Sequence, residues 1–170
     1  MKQTGVTRKI DELGRIVIPK EIRKNLGIRD GEALEIFTSE DSIILKKYFE
    51  VRRYEDLSSK LCELIKNIYN VDLVITDREK VITSSNKDIV ENSKLNNKFL
   101  ELIDNRQTFI TKELSTINLG VDISGYFTII PIIASSDSLG LVIIISDKIN
   151  DYSSLGKLLA KIIADKIDIF

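Results

Sequence analysis

"RKIDELGRIVIPKEIRKNLGI", residues 8–28, concentrates both the fold signals and the charge of the chain. Residues 8–29 carry seven basic side chains (Arg8, Lys9, Arg15, Lys20, Arg23, Lys24, Arg29) against three acids (Asp11, Glu12, Glu21). Two β-branched runs, 6–10 and 15–18, flank "DELG", where Asp11 opens a turn and Gly14 supplies a positive φ. The pattern predicts a short hairpin-like reversal. Pro19 then stops the second run and suits the first turn of a helix, and "KEIRKNL" runs to Gly27, a natural C-terminal stop. Ile22 and Leu26, four apart, share the apolar face of this helix, with Lys20, Arg23 and Lys24 on its exposed flank.

Working outward, Asp30-Gly31 marks a turn before the strand "ALEIFT", and "SEDS" turns the chain into the strand "IILKK". Residues 1–48 thus read β-β-α-β-β with few large apolar side chains. A unit of this size sits where one core is too small for independent stability, so dimerisation is predicted, with the following domain as the other source of missing core.

Residues 49–53 form the expected linker. Beyond them a helix is predicted over 54–69, with Leu57, Leu61, Leu64, Ile65 and Ile68 as its apolar stripe. "VDLVITD" and "KVITSS" flank "REK" as a hairpin, a helix covers 95–105, and a short strand near "TFITK" precedes a polar loop. Two long strands, "GYFTIIPII" and "LGLVIIIS", are joined by "ASSDS". A last helix over 155–168 carries Leu155, Leu158, Leu159, Ile162, Ile163 and Ile167 on a broad face. Residues 54–170 therefore read as an α+β domain with an antiparallel sheet and flanking helices.

The 170 residues carry 25 Lys+Arg against 26 Asp+Glu, net −1, so no global basicity points to nucleic acid. The signal is local. Residues 1–29 hold eight basic and three acidic side chains, whereas 30–170 hold 17 and 23. Histidine is absent, which removes Ser-His-Asp and Cys-His catalysis and imidazole metal ligation. No paired carboxylates stand beside a Gly-rich phosphate loop, so the chain reads as a non-enzyme with no cofactor and no metal. The single Cys62 excludes an intrachain disulfide framework and fits a reducing cytoplasm. The N-terminus lacks an apolar signal core, and the longest apolar run, near Leu141, is too short to span a bilayer and suits a buried strand.

The bland reading of the basic window is a solvated surface. Against it, Arg8 and Lys9 precede the turn, Arg15 follows it, and Lys20, Arg23 and Lys24 lie on the adjoining helix, so separate elements of one small unit gather positive charge. Dimerisation would double that field, and the combination suits the phosphates of duplex DNA. Asp11 and Glu12 stand among these cations, and turn carboxylates can bond nearby backbone N–H groups or pair with Arg15, holding its guanidinium for a phosphate.

The segment "TGVTRKIDELGRIVIPKEIRKNLGIRDGEALEIFTSEDSIILKKY" resembles, nearly end to end, the N-terminal swapped-hairpin domain of AbrB-type transition-state regulators. "IPIIASSDSLGLVIIISD" resembles the two-strand segment common in GAF domains, and the whole length resembles sporulation regulators that join these two parts. The resemblance implies an N-terminal swapped-hairpin β-barrel dimer followed by a GAF-like domain. It implies contacts to double-stranded DNA from Arg8, Arg15, Arg23 and the next position, where family members often carry Arg and this chain has Lys24, which suits a phosphate better than a bidentate contact. It implies activation and repression of sporulation genes on A/T-rich sites, a homotetramer joined through helical packing of the GAF-like domains, and an unidentified small-molecule ligand. Ala160 and Ala164, small residues four apart, make the last helix the candidate seam, the alternative being that it caps its own sheet. Residues 107–124, polar and rich in turns, read first as a surface connection and second as a lid. Ser58, Ser59 and Ser84 read as exposed serines open to phosphorylation.

The alternative is an antitoxin, since related swapped-hairpin domains neutralise toxins through a disordered C-terminal tail. Residues 49–170 are hydrophobic and periodic rather than tail-like, which argues against it.

Overall fold

Pro19, with φ −57°, fixes the start of the first helix, α1 (Lys20–Leu26). Gly27 ends it at φ 63°, donating its N–H to the Lys24 carbonyl at 3.2 Å while the Ile28 N–H reaches the Arg23 carbonyl at 2.8 Å. The computed structural model describes residues 5–167 and divides the chain into two units, Met1–Tyr48 and Phe49–Phe170. Asp168, expected to end the last helix, lies outside the described residues.

In the first unit the turn over 11–14 forms as expected. The Gly14 N–H donates to the Asp11 carbonyl and the Asp11 N–H to the Arg15 carbonyl, at 3.0 and 3.1 Å, with Gly14 at φ 75°. The flanking runs, 6–10 and 15–18, do not become strands. Their backbone needs the N–H and C=O groups of a neighbouring strand, and no described strand of this unit pairs with them. That ladder joins β1 (Leu34–Ser39) to β2 (Ser42–Lys47), antiparallel, from Leu34 opposite Lys47 to Ser39 opposite Ser42. Ile36 and Ile43 on this hairpin remain 67% and 68% exposed, and Ile10, Ile16, Val17 and Leu26 are exposed too. Among the described residues, the unit contributes none to either hydrophobic core of the chain.

In the second unit, residues 49–53 are not a free linker. A 3-10 helix, Glu50–Tyr54, occupies this stretch, and Val51 is fully buried in the core of the unit. An apolar residue so placed gains more by packing than by spacing two domains. Next come α2 (Glu55–Tyr69), β3 (Asp72–Thr76), β4 (Val81–Ser84), α3 (Asn97–Asp104), β5 (Phe109–Ile110), β6 (Ser115–Asn118), β7 (Asp122–Ala134), β8 (Asp137–Ser146) and α4 (Ser153–Ile167). The sheet order is β4-β3-β8-β7-β5, with β6 also paired to β7, and every pairing is antiparallel. The short strand expected near 108–112 forms as β5, and the rest of 107–124, expected as a polar connection or lid, instead supplies β6; both are bonded to β7.

Strand period places alternate residues on the two faces of this sheet, and both faces are buried. Val142 and Ile144 of β8, with Ile130 and Ile132 of β7, meet Cys62 and Ile65 of α2 and Leu159, Ala160, Ile163 and Ala164 of α4. Leu141, Ile143 and Ile145, with Phe127 and Ile129, meet Phe99, Leu102 and Ile103 of α3. This double coverage explains the near-continuous apolar runs of β7 and β8, which alternation on a one-sided sheet would have interrupted. Ala160 and Ala164, the expected seam, are buried in this core: small residues let α4 approach its own sheet. Gly156 serves the same approach, since a Cβ there would lie 2.7 Å from Ile130 Cγ1. Ser58 is buried on α2 rather than exposed, and its Oγ has no hydrogen-bond partner among the described residues.

Candidate nucleic-acid interface

The turn of the first unit is organised by one carboxylate. Asp11 Oδ1 accepts the backbone N–H groups of Leu13 at 3.0 Å and Arg15 at 2.8 Å, while Oδ2 accepts from Arg15 Nε at 2.8 Å. The backbone and side-chain hydrogen bonds from Arg15 hold the Asp11 carboxyl below its ordinary value. Both expected functions of this acid therefore occur together. The Arg15 side chain stays 72% exposed with its guanidinium fixed at Nε, which leaves its terminal nitrogens directed to solvent for an anion.

Before the turn, Arg8 and Lys9 are exposed, and Arg8 Nη1 donates to the Thr7 carbonyl at 2.9 Å. On α1, Lys20, Arg23 and Lys24 stand at i, i+3 and i+4 and so share one side of the helix. Lys20 and Lys24 are exposed. Arg23 is half-buried and ion-paired through Nη1 with Asp30, a partner that the sequence pattern does not reveal because the two residues belong to different elements. Arg23 and Lys24 also lie in the last turn of α1, where cations complement the helix dipole. Structural and anion-binding roles coexist there: an Arg has five N–H donors, and one ion pair leaves others available.

Among the described residues no group of three His, Cys, Asp or Glu side chains is placed to hold a metal ion. Burial pushes the Cys62 thiol up to about 12, and the thiol donates to the Leu73 carbonyl at 3.3 Å, the behaviour of a small core residue rather than a nucleophile. Among the described residues no helix is long and apolar enough to cross a membrane.

Comparison with known proteins meets this geometry from both ends. Residues 54–167 match the family described as stage V sporulation protein T C-terminal, transcription factor. The chain belongs to this family. Stage V sporulation protein T of Bacillus subtilis (strain 168) is 36% identical over 153 residues, which cover 86% of this chain and 85% of that protein. Residues 7–51 match a second family, described as antidote-toxin recognition MazE, bacterial antitoxin. Over 48 residues the chain is 60% identical to transition state regulatory protein AbrB of the same organism, covering 28% of this chain and 50% of that protein. The solution structure of the N-domain of the transcription factor abrB is also 60% identical, over 28% of this chain and 92% of that one, with a TM-score of 0.27. The likeness of the N-terminal region to AbrB, and of the whole length to the stage V sporulation protein T family, is thus shown in sequence. Every basic residue of the expected interface falls in the MazE- and AbrB-like part, and the family assignment of the larger part rests on the compact second unit.

Proposed function

We propose that this chain is a DNA-binding transcriptional regulator of sporulation genes, activating some and repressing others, with the first unit on double-stranded DNA and the second as its assembly domain. The observation that carries the reading is the state of residues 5–19 and of the β1–β2 hairpin. They hold exposed apolar side chains and clustered cations, but no strand among the described residues pairs with 6–10 or 15–18. A second copy that interleaves its own runs with these would supply the missing ladder and core and bring two sets of Arg8, Lys9, Arg15, Lys20, Arg23 and Lys24 onto one surface. The 60% identity of this segment to transition state regulatory protein AbrB, whose N-terminal domain is described as a DNA recognition domain, supports a DNA-binding role for it.

α1 has only seven residues, too short for an ordinary major-groove recognition helix, so phosphates are reached first and base edges second. Recognition then rests on DNA shape, and the narrow minor groove of A/T-rich duplexes, with its enhanced negative potential, suits this cluster of Arg and Lys. The exposed Leu64 and Ile68 on α2 and Leu158 on α4 suit helical packing between second units, giving a tetramer of paired dimers without a seam at Ala160 and Ala164. A toxin-neutralising role finds less support, because residues 49–167 form a packed two-faced sheet rather than a tail that folds on a partner.

Sedimentation of the full chain, alone and with A/T-rich or G/C-rich duplexes, tests this. A monomer that does not associate at micromolar concentration, or equal binding to both duplexes by the Arg8→Ala variant and the parent, would overturn it.

A further inference from the structure

Where β5 stops, β7 has an uncovered edge. β5 pairs only with Thr128 and Ile129, so from Ile130 onward that side of β7 faces α4 and the chain around residue 106 rather than a strand. A groove of ≈ 280 Å³ runs there, floored by Ile130, Pro131 and Ile133 and rimmed by Arg106, Lys157 and Lys161. It lies apart from the space between the sheet and α3, which is filled by Phe99, Leu102, Phe127 and Ile129.

Three cations and no carboxylate line this groove. Arg106 holds a left-handed backbone, φ 53°, at the end of α3, a conformation that costs a non-glycine residue. Its guanidinium is anchored through Nη2 on the Ser136 carbonyl in the β7–β8 turn, which spans the groove. Lys161 is steadied by Asp165 one turn along α4, at 2.6 Å, and Asp165 is not part of the lining. Lys157, one turn before it, is exposed and lies on the same side of the helix. Pro131 contributes no N–H to the edge, so an added β-strand would lack a ladder bond. The chemistry is that of a pocket with an apolar floor and a few convergent cations.

We propose that this groove binds a small amphiphilic carboxylate, its anionic group held by Arg106 and Lys157 and its hydrocarbon body on Ile130, Pro131 and Ile133. The site gives a place to the small-molecule ligand that the GAF-like resemblance implies, and its test is independent of the DNA surface of the first unit. The number of basic groups selects an anion, the open shape admits an alkyl chain of modest length, and the edge of β7 transmits occupancy to the β7–β8 turn through Arg106.

The test uses the full chain with isotope-labelled isoleucine δ1-methyl groups, titrated with octanoate and, separately, with octylammonium. Octanoate is expected to shift the Ile130 and Ile133 methyl signals saturably, and octylammonium at the same concentrations to leave them in place. An Arg106→Gln/Lys157→Gln variant, both changes on exposed side chains, is expected to weaken octanoate binding about tenfold or more, since each charged hydrogen bond removed carries roughly that factor. Its DNA affinity stays that of the parent, which separates failure here from failure of the DNA-binding reading. Methyl signals unmoved by octanoate, moved equally by octylammonium, or moved equally in the double variant would overturn the proposal.

Discussion

Asp11 Oδ2 accepts a hydrogen bond from Arg15 Nε at 2.8 Å while Asp11 Oδ1 accepts the Arg15 backbone N–H at the same distance, so one carboxylate fixes both the chain and the side chain of Arg15. An acid inside a basic window is thereby reconciled with an anionic partner: its charge serves to position one guanidinium. Asp11→Ala is expected to weaken binding to an A/T-rich duplex about tenfold to a hundredfold, the range of one charge-assisted hydrogen bond. Fluorescence anisotropy measures this, and unchanged affinity would show that Arg15 needs no positioning.

The same turn has a defined pH dependence. Because its folded carboxyl lies below the ordinary aspartate value, Asp11 is ionised in both folded and unfolded chains at neutral pH, and the stabilising effect is fully present there. It is lost as pH falls through the lowered folded value. An NMR titration of the Asp11 side-chain carbonyl carbon is expected to give a midpoint below that of an unstructured aspartate, and an ordinary midpoint would mean the Arg15 bonds do not persist in solution.

Gly140 sets how closely β8 approaches β3. A Cβ at this position would lie 2.0 Å from the Thr76 carbonyl oxygen and 3.1 Å from Asp77 Cα, both backbone atoms that cannot swing aside. At Gly156 the obstacle is the Ile130 side chain, which can. Gly140→Ala is therefore expected to destabilise the second unit by about 3 kcal/mol or more and Gly156→Ala by about 1–2 kcal/mol, from the usual cost of overpacking. Urea unfolding of the two variants gives the order, and the reverse order would contradict the packing described.

Asp77, fully buried, accepts the Glu79 and Lys80 N–H groups at 2.6 and 2.7 Å and Arg52 Nη2 at 2.8 Å. Through it the 3-10 helix is tied to the β3–β4 turn. Asp77→Ala strands two backbone donors and is expected to cost about 3–5 kcal/mol, whereas Arg52→Met, whose partner keeps its backbone bonds, is expected to cost roughly half as much. A double-mutant cycle by chemical denaturation checks the coupling, and additive effects would show that the ion pair is incidental.

Cys62 tests the core directly. With its thiol raised from 9.0 to about 12 by burial, it stays protonated in the folded chain while an unfolded chain ionises above pH 9.0, so stability is expected to fall across that interval. A disulfide reagent at pH 8 is expected to react only after urea is added. Rapid reaction of the folded protein would place Cys62 at the surface.

How much of this is written in the sequence varies with how local the cause is. Pro19 and Gly27 bound α1 by backbone chemistry alone, α2 and α4 carry their helical periodicity openly, and β7 and β8 show as long apolar runs. Residues 6–10 and 15–18 also carry a strand pattern, but a pattern specifies which face wants burial and not which chain supplies it, so a single chain leaves them unpaired. The burial of Val51, Ser58, Ala160 and Ala164 depends on tertiary packing across the sheet that no local signal encodes. β6 is hidden because a polar edge strand has the composition of a loop. In the candidate interface the basic residues are legible one by one, and the Asp11–Arg15 pairing follows from turn chemistry. The Arg23–Asp30 pair joins α1 to a turn after it, so only the fold brings it together.

The most direct measurement of the central claim is the salt dependence of binding of the full chain to an A/T-rich duplex, beside the Arg8→Ala and Arg23→Ala variants. If the basic window neutralises phosphates, affinity falls steeply and linearly on logarithmic axes, and each variant lowers the slope by about 1 for every phosphate left without its cation. A flat salt dependence, or variants whose slopes match the parent, would contradict it and leave the window as a solvated face.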